Sequence, residues 1–204
     1  MIGICRCGPR HAASPGSGHA PHGQSNDRRW ALSRLLGAGL AGVALMNAPR
    51  QASAGATRMA PLPSDEAFMR LAIAEAALAD FPFGAVIVRE GAVVSTGRNL
   101  GRTTNDPTAH GEMVAIRRFV ASRPADELKG ATLYTSGEPC PMCMSAILWC
   151  GLGRVVYAAS IEELATKLGQ IMLSSQAVAD AAPFANIAIT GGVLADEALA
   201  LFHN

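Results

Sequence analysis

The sequence has no apolar run long enough to span a bilayer and no overall excess of positive charge. Its longest apolar run, residues 35–46, falls short of the roughly 20 residues that a membrane helix needs. Lys and Arg number 17 against 16 Asp and Glu, so the whole chain has almost no net charge with which to neutralise phosphates. No internal repeat is evident, which excludes a solenoid.

Residues 1–54 have the pattern of an export signal. Paired arginines at positions 28 and 29 precede the apolar run, and Ala-Ser-Ala at positions 52–54 is typical of a cleavage site. The paired arginines indicate the twin-arginine route, so we predict a periplasmic protein cleaved after Ala54. The alternative is that the leader stays uncleaved as a membrane anchor.

Removal of this leader makes the remaining chain acidic. Residues 55–204 hold 11 Lys and Arg against 15 Asp and Glu, a formal net charge of −4 with histidine neutral. A polyanion such as tRNA normally needs a basic surface. We therefore expect a small-molecule substrate, no nucleic-acid partner and no stable membrane partner after cleavage.

Cysteine is scarce after the leader, and two of the three cysteines stand in a metal-binding pattern. His110 lies upstream of Cys140 and Cys143, and these residue types are zinc ligands. Three protein ligands leave the fourth position for water, as in catalytic zinc sites. Glu112 is close enough to His110 to move a proton at that water. A structural zinc knot or a redox Cys-x-x-C pair is the alternative interpretation.

The two motifs, with their flanking residues 105–112 and 133–143, resemble the cytidine deaminase-like superfamily, which has the signature H-x-E followed by P-C-x-x-C. Within it they look most like bacterial guanine deaminases and tRNA adenosine deaminases. The resemblance covers about residues 64–160. It implies a Zn²⁺ cofactor, hydrolytic deamination and a homodimer.

The resemblance also implies substrate contacts. Asn99 would hydrogen-bond the edge of the base, and the backbone at Ala85 and Glu138 would line the pocket. Trp149 falls where the guanine deaminase branch carries a pocket tryptophan, although a tryptophan on an apolar helix is otherwise a core residue.

The C-terminal region departs from the pattern of guanine deaminases. Their acidic and aromatic tail, which completes the purine pocket, has no matching positions here. Glu162, Glu163 and Gln170 are candidates for the missing contacts, with no position assigned to them from the sequence.

Residues 55–204 are predicted to form one domain with strands and helices in alternation. The pattern of apolar residues predicts a two-stranded hairpin followed by strands that alternate with helices. The predicted strands are residues 85–89, 92–98, 131–135, 155–158 and 186–190, and the predicted helices are residues 64–78, 110–119, 141–148, 161–168 and 194–202. This order indicates an α/β fold with a mixed five-stranded sheet, and the resemblance implies a three-layer α/β/α sandwich.

Three hypotheses of function follow. The first is an exported zinc-dependent deaminase that converts guanine to xanthine. The second keeps this reaction but changes the substrate to a nucleoside, cytosine or an aminotriazine. The third is a secreted zinc-binding or redox module without deaminase activity.

Overall fold

The computed structural model describes residues 55–202. The predicted signal, its cleavage site after Ala54 and residues 203–204 lie outside this part of the chain. A mixed sheet in the order β1-β6-β5-β4-β2-β3 forms its centre. The strands are β1 (Ala56–Arg58), β2 (Gly84–Arg89), β3 (Ala92–Arg98), β4 (Thr132–Gly137), β5 (Arg154–Ala159) and β6 (Ile187–Thr190).

The strand directions confirm the predicted mixed sheet. β2 runs antiparallel to both β3 and β4, whereas β4, β5, β6 and β1 are parallel to one another. The predicted number of five strands was wrong, because β1 adds a sixth strand beside β6. β1 is only three residues long, too short to show the alternation of apolar and polar residues by which strands are recognised.

Helices cover both faces of the sheet. They are α1 (Asp65–Ala77), α2 (Gly111–Val120), α3 (Pro141–Trp149), α4 (Ile161–Ala165), α5 (Ser175–Asp180) and α6 (Ala195–Leu199), with a 3₁₀ turn at Ala125–Leu128. The predicted helix 161–168 ends at Ala165, and α5 was not predicted. Among residues 55–202, no helix combines the length and the apolarity that a membrane crossing requires.

Two apolar clusters show that the domain has three layers. Ile87, Leu133 and Val155 belong to the cluster that also contains buried residues of α2 and α3. The strand residues next to them, including Val86 and Val156, belong to a second cluster with residues of α1 and α6. Because successive side chains of a strand point to opposite faces, this division places α2 and α3 on one side of the sheet and α1 and α6 on the other.

A glycine in β3 lets α2 approach the sheet closely. A Cβ atom at Gly97 would collide with the backbone of Gly111 and Ala115 in α2. The first turns of α2 therefore pack directly on β3. This packing holds His110, the residue before α2, at a fixed place beside the sheet.

A buried ion pair lies where β5 begins. Both oxygens of Asp65 accept hydrogen bonds of 2.7 Å from Arg154, and Asp65 also accepts from the Tyr134 hydroxyl at 3.0 Å and the Leu62 N–H at 2.7 Å. Arg154 donates a further bond of 2.9 Å to Thr190. Burial raises the pKa of Asp65, but the bonds from Arg154, Leu62 and Tyr134 outweigh it, so that this pKa lies below its ordinary value. The same burial, with the bond to Asp65, raises the pKa of Tyr134 to about 12.

Candidate active site

The three predicted zinc ligands meet at the N-termini of two helices. His110 is the residue before α2, Cys140 is the residue before α3, and Cys143 lies in the first turn of α3. The His110 Nδ1 atom lies 3.7 Å from Cys140 Sγ and 3.6 Å from Cys143 Sγ. The structure therefore brings together residues that are 30 positions apart in the sequence.

The distances between these atoms suit a tetrahedral zinc ion. Zn–S bonds of about 2.3 Å and Zn–N bonds of about 2.0 Å at tetrahedral angles place a sulfur and a nitrogen about 3.5 Å apart. The ligand atoms of His110, Cys140 and Cys143 all lie within 4.8 Å of one another. Three ligands with imidazole and thiolate chemistry fit zinc and leave one of its four positions open.

A hydrogen bond between the two thiols shifts their pKa values in opposite directions. A hydrogen bond from the Cys143 thiol lowers the pKa of Cys140 to about 4, and His110 contributes to this effect. The same bond and burial raise the pKa of Cys143 above its ordinary value. The hydrogen bond with Cys140 also raises the pKa of His110. Cys140 is therefore already a thiolate at neutral pH, the form that binds zinc.

Glu112 is a buried acid beside this cluster. It lies in the first turn of α2, and only 5 % of its surface is exposed. Burial raises the pKa of Glu112 above its ordinary value of 4.5. Its position agrees with the proton-transfer role that the sequence predicts for it.

A cavity of about 620 Å³ opens over the cluster and is large enough for a small molecule. His110, Glu112 and Cys140 line it together with the side chain of Asn99. The Asn99 side-chain oxygen accepts a 3.0 Å hydrogen bond from the Gly101 N–H. The NH₂ of Asn99 makes no hydrogen bond within residues 55–202, so it can donate to a ligand.

The other predicted contacts have mixed outcomes. Glu138 lines the cavity as predicted, whereas Ala85 is fully buried between β3 and β4 and does not line it. Trp149 does not line the cavity of the described chain, and 76 % of its surface is exposed. It stacks on Phe184 with a centroid distance of 4.6 Å, and its exposure shows that it is not a core residue.

The candidates from the C-terminal region separate in the structure. Gln170 lines the cavity, together with its neighbours Leu168 and Gly169. Glu163 instead accepts a hydrogen bond from the Ser160 N–H and completes a capping box at the start of α4. Leu168 and Gly169 had no sequence signal of a site, because they belong to no motif.

The fold and this metal-binding cluster define a class of zinc-dependent deaminases, and comparison with known proteins agrees. Residues 62–159 match the family model described as "Cytidine and deoxycytidylate deaminase zinc-binding region". A tRNA-specific adenosine deaminase from Haemophilus influenzae is 36% identical over 138 residues, which cover 65% of this chain and 78% of that protein. The chain therefore belongs to the cytidine and deoxycytidylate deaminase family, whose zinc ligands it carries as His110, Cys140 and Cys143.

Two guanine deaminases are also similar to this chain. That of Bacillus subtilis is 53% identical over 78 residues, which cover 38% of this chain and 50% of that protein. The chain thus spans half the length of this relative. The solved structure of a guanine deaminase from Nitrosomonas europaea is 26% identical, with a TM-score of 0.59, covering 72% of this chain and 85% of that one.

Proposed function

We propose that this protein hydrolyses an aminated nucleobase and releases ammonia, with guanine as the substrate and xanthine as the product. The observation that carries the proposal is the arrangement of His110, Cys140 and Glu112 on one cavity that also presents an amide donor. Metal ligands alone would fit a structural site. A buried acid beside the residues that would hold the metal is what hydrolysis needs.

The residues divide the reaction between them. His110, Cys140 and Cys143 would hold the zinc ion, which would lower the pKa of a bound water molecule to about 7 and so provide the nucleophile. The water oxygen bonds to the ring carbon that carries the amine. Glu112 would take one proton from this water and deliver it to the ring nitrogen, and would then carry the second proton of the same water to the amine. The C–N bond breaks, ammonia leaves, and a carbonyl remains on the ring.

Asn99 supports a substrate that has a hydrogen-bond acceptor on its edge. The NH₂ of Asn99 is a donor, and the bond from the Gly101 N–H to the Asn99 oxygen holds this amide in place. Guanine offers acceptors at its O6 and N7 atoms. A donor held in place by a backbone bond selects such an edge over one that presents hydrogen atoms.

The relatives and the charge of the domain support a free base over tRNA. A guanine deaminase is 53% identical in the matched region, and a tRNA-specific adenosine deaminase is 36% identical over a longer one. Residues 55–202 hold 11 basic and 15 acidic residues, so this part of the chain has a net negative charge. Such a charge disfavours tRNA binding.

The test measures ammonia release by the purified full-length, zinc-loaded chain from guanine, guanosine, cytosine, cytidine, adenine and adenosine. We expect release from guanine, one zinc per chain, and no release by Glu112→Gln, which keeps the three ligands. If ammonia is released only from another compound of the panel, that compound replaces guanine as the proposed substrate. Bound zinc without release from any compound contradicts deamination of these nucleobases and nucleosides. A metal-free, folded protein with a Cys140–Cys143 disulfide would favour the redox module.

We also propose that the protein is a homodimer. The exposed stack of Trp149 and Phe184 supports this, because an exposed pair of large aromatic rings is typical of an interface. Sedimentation of the full-length chain at micromolar concentration should give a dimer, and Trp149→Ala should shift the equilibrium toward monomer. A wild-type monomer at this concentration contradicts the proposal.

Export to the periplasm remains a proposal based on the leader. Its support is the paired arginines and the Ala-Ser-Ala site of residues 1–54. Cell fractionation should find the chain in the periplasm with Gly55 as its first residue. Replacement of both arginines by lysine should retain it in the cytoplasm, and export of that variant at the wild-type level would exclude the twin-arginine route.

A further inference from the structure

Glu138 is a buried acid whose side chain has no part in the proposed reaction. It lies between the end of β4 and Cys140, and only 7 % of its surface is exposed. One carboxylate oxygen accepts a 3.0 Å hydrogen bond from the Ile161 N–H, and the other accepts a 2.7 Å bond from the Ser175 N–H. Each oxygen of this carboxylate is thus engaged by a backbone N–H group.

These two N–H groups begin two different helices. Ile161 is the first residue of α4, and Ser175 is the first residue of α5. The first N–H groups of a helix have no partner within it, and a negative charge at this end is favourable. The buried Ser175 hydroxyl adds a 3.2 Å bond to the Pro139 carbonyl. Glu138 therefore ties both helices to the loop that holds the zinc ligand Cys140.

The segment between these helices forms part of the cavity. Residues 166–174, here named the wall segment, contain neither helix nor strand. Leu168, Gly169 and Gln170 of this segment line the cavity. Its first residues are bonded to α4, because the N–H groups of Lys167 and Leu168 both donate to the Leu164 carbonyl, at 2.9 and 3.0 Å. The position of α4 therefore decides where Leu168 lies. One carboxylate binds the helices at both ends.

We propose that Glu138 is a positioning residue, which sets the fit of the substrate by holding the wall segment beside the metal ligands. This inference rests on the proposed function and adds to it a residue that controls substrate affinity without touching the substrate. The substitution Glu138→Gln replaces one of the two acceptor oxygens with an NH₂ group that cannot accept a bond. One end of the wall segment is then released.

The experiment compares steady-state ammonia release from guanine by full-length wild type, Glu138→Gln and Glu163→Gln. Glu163 is a matched control, because its carboxylate also caps the start of α4 but is exposed and does not reach α5. A lost hydrogen bond to a buried charged group corresponds to a change of about tenfold or more in an equilibrium. We expect KM to rise about tenfold in Glu138→Gln, with kcat within about threefold of wild type and zinc unchanged, and no change in Glu163→Gln. If guanine is not the substrate, the compound that wild type deaminates takes its place.

Hydrogen exchange of the same proteins separates this inference from the proposed function. Backbone amides of the wall segment should exchange about tenfold faster in Glu138→Gln than in wild type or Glu163→Gln. If the wild type releases no ammonia, the proposed function is contradicted. Hydrogen exchange still tests whether Glu138 holds the wall segment in place. An unchanged KM in an active Glu138→Gln protein, or unchanged exchange in the wall segment, overturns the positioning role.

A milder variant keeps the inference testable if Glu138→Gln does not fold. Ser175→Ala removes the bond to Pro139 and leaves the carboxylate in place. A neutral hydrogen bond is weaker, so a rise of about threefold in KM is expected. An unchanged KM in this variant would overturn the role in that case.

Discussion

The buried pair of Asp65 and Arg154 allows a sharp prediction about stability. Asp65→Asn removes the charge and leaves the Arg154 guanidinium buried with a neutral partner. Arg154 donates two bonds of 2.7 Å to this carboxylate, and Asp65 has no exposed surface. Solvent therefore cannot replace the lost interaction.

The expected loss is about 3 kcal/mol in the free energy of unfolding. Removal of one partner of a buried ion pair costs about 3–5 kcal/mol, because the other charge is left uncompensated. The lower value applies here because asparagine retains one acceptor oxygen for Arg154. For a domain of this size, each kcal/mol shifts Tm by about 2–4 °C, so Tm should fall by about 6–12 °C.

Urea unfolding and calorimetry of the zinc-loaded protein measure both quantities. Glu66→Gln is the control, because Glu66 pairs with Arg70 at 3.1 Å on the exposed surface of the same helix. This exposed pair should contribute less than about 1 kcal/mol. The double variant Asp65→Asn/Arg154→Met should be more stable than the sum of the single effects predicts, because it leaves no unpaired charge. A loss below about 1 kcal/mol in Asp65→Asn, or additive effects in the double variant, would refute the reasoning.

Three further predictions concern pH, metal and substrate. The folded protein holds the pKa of Asp65 below its ordinary value of 3.8, so the stabilisation by the Asp65 carboxylate is fully present above about pH 3.8 and is lost as pH falls through the lower pKa. In urea titrations, the difference in unfolding free energy between wild type and Asp65→Asn should therefore shrink at low pH. A constant difference down to pH 2 would contradict this. Chelation of zinc should abolish ammonia release, and added zinc should restore it. Metal analysis of Cys143→Ser, which changes a fully buried ligand, should give less than one zinc per chain. Activity that survives complete removal of the metal argues against the mechanism. Asn99→Ala should lower kcat/KM about tenfold or more without loss of zinc, because one donor to the base is missing; unchanged kinetics would exclude Asn99 from the contact with substrate.

The strands and the metal centre could be predicted because each has a local signal. The apolar runs of β2 and β5 stand out against their neighbours, and turn residues separate β2 from β3. His110 and the Cys140–Cys143 pair each stand in a short motif of the zinc-binding signature. Such signals depend on a few adjacent residues, so they do not need the tertiary structure.

Features that depend on distant contacts were not predictable from the sequence. Ser64 has the residue type of a helix cap, yet its side chain makes no capping bond, and the neighbouring Asp65 turns inward to Arg154. Glu138 resembles any acid beside a metal motif until α4 and α5 bring their N–H groups to it. The pairing partners of these residues are 89, 23 and 37 positions away.

The ion pair and the metal cluster lie at opposite ends of the same strands, and this separates two kinds of damage in a living cell. Arg154 is the first residue of β5, whereas its last residue, Ala159, accepts a bond from the Glu138 N–H beside the metal ligands. A substitution at Asp65 should expose the chain to proteases and reduce its abundance. A substitution at Glu112 should leave abundance unchanged while turnover disappears. A library scored for both abundance and growth on guanine as nitrogen source would thus sort its variants according to the end of the sheet that they affect.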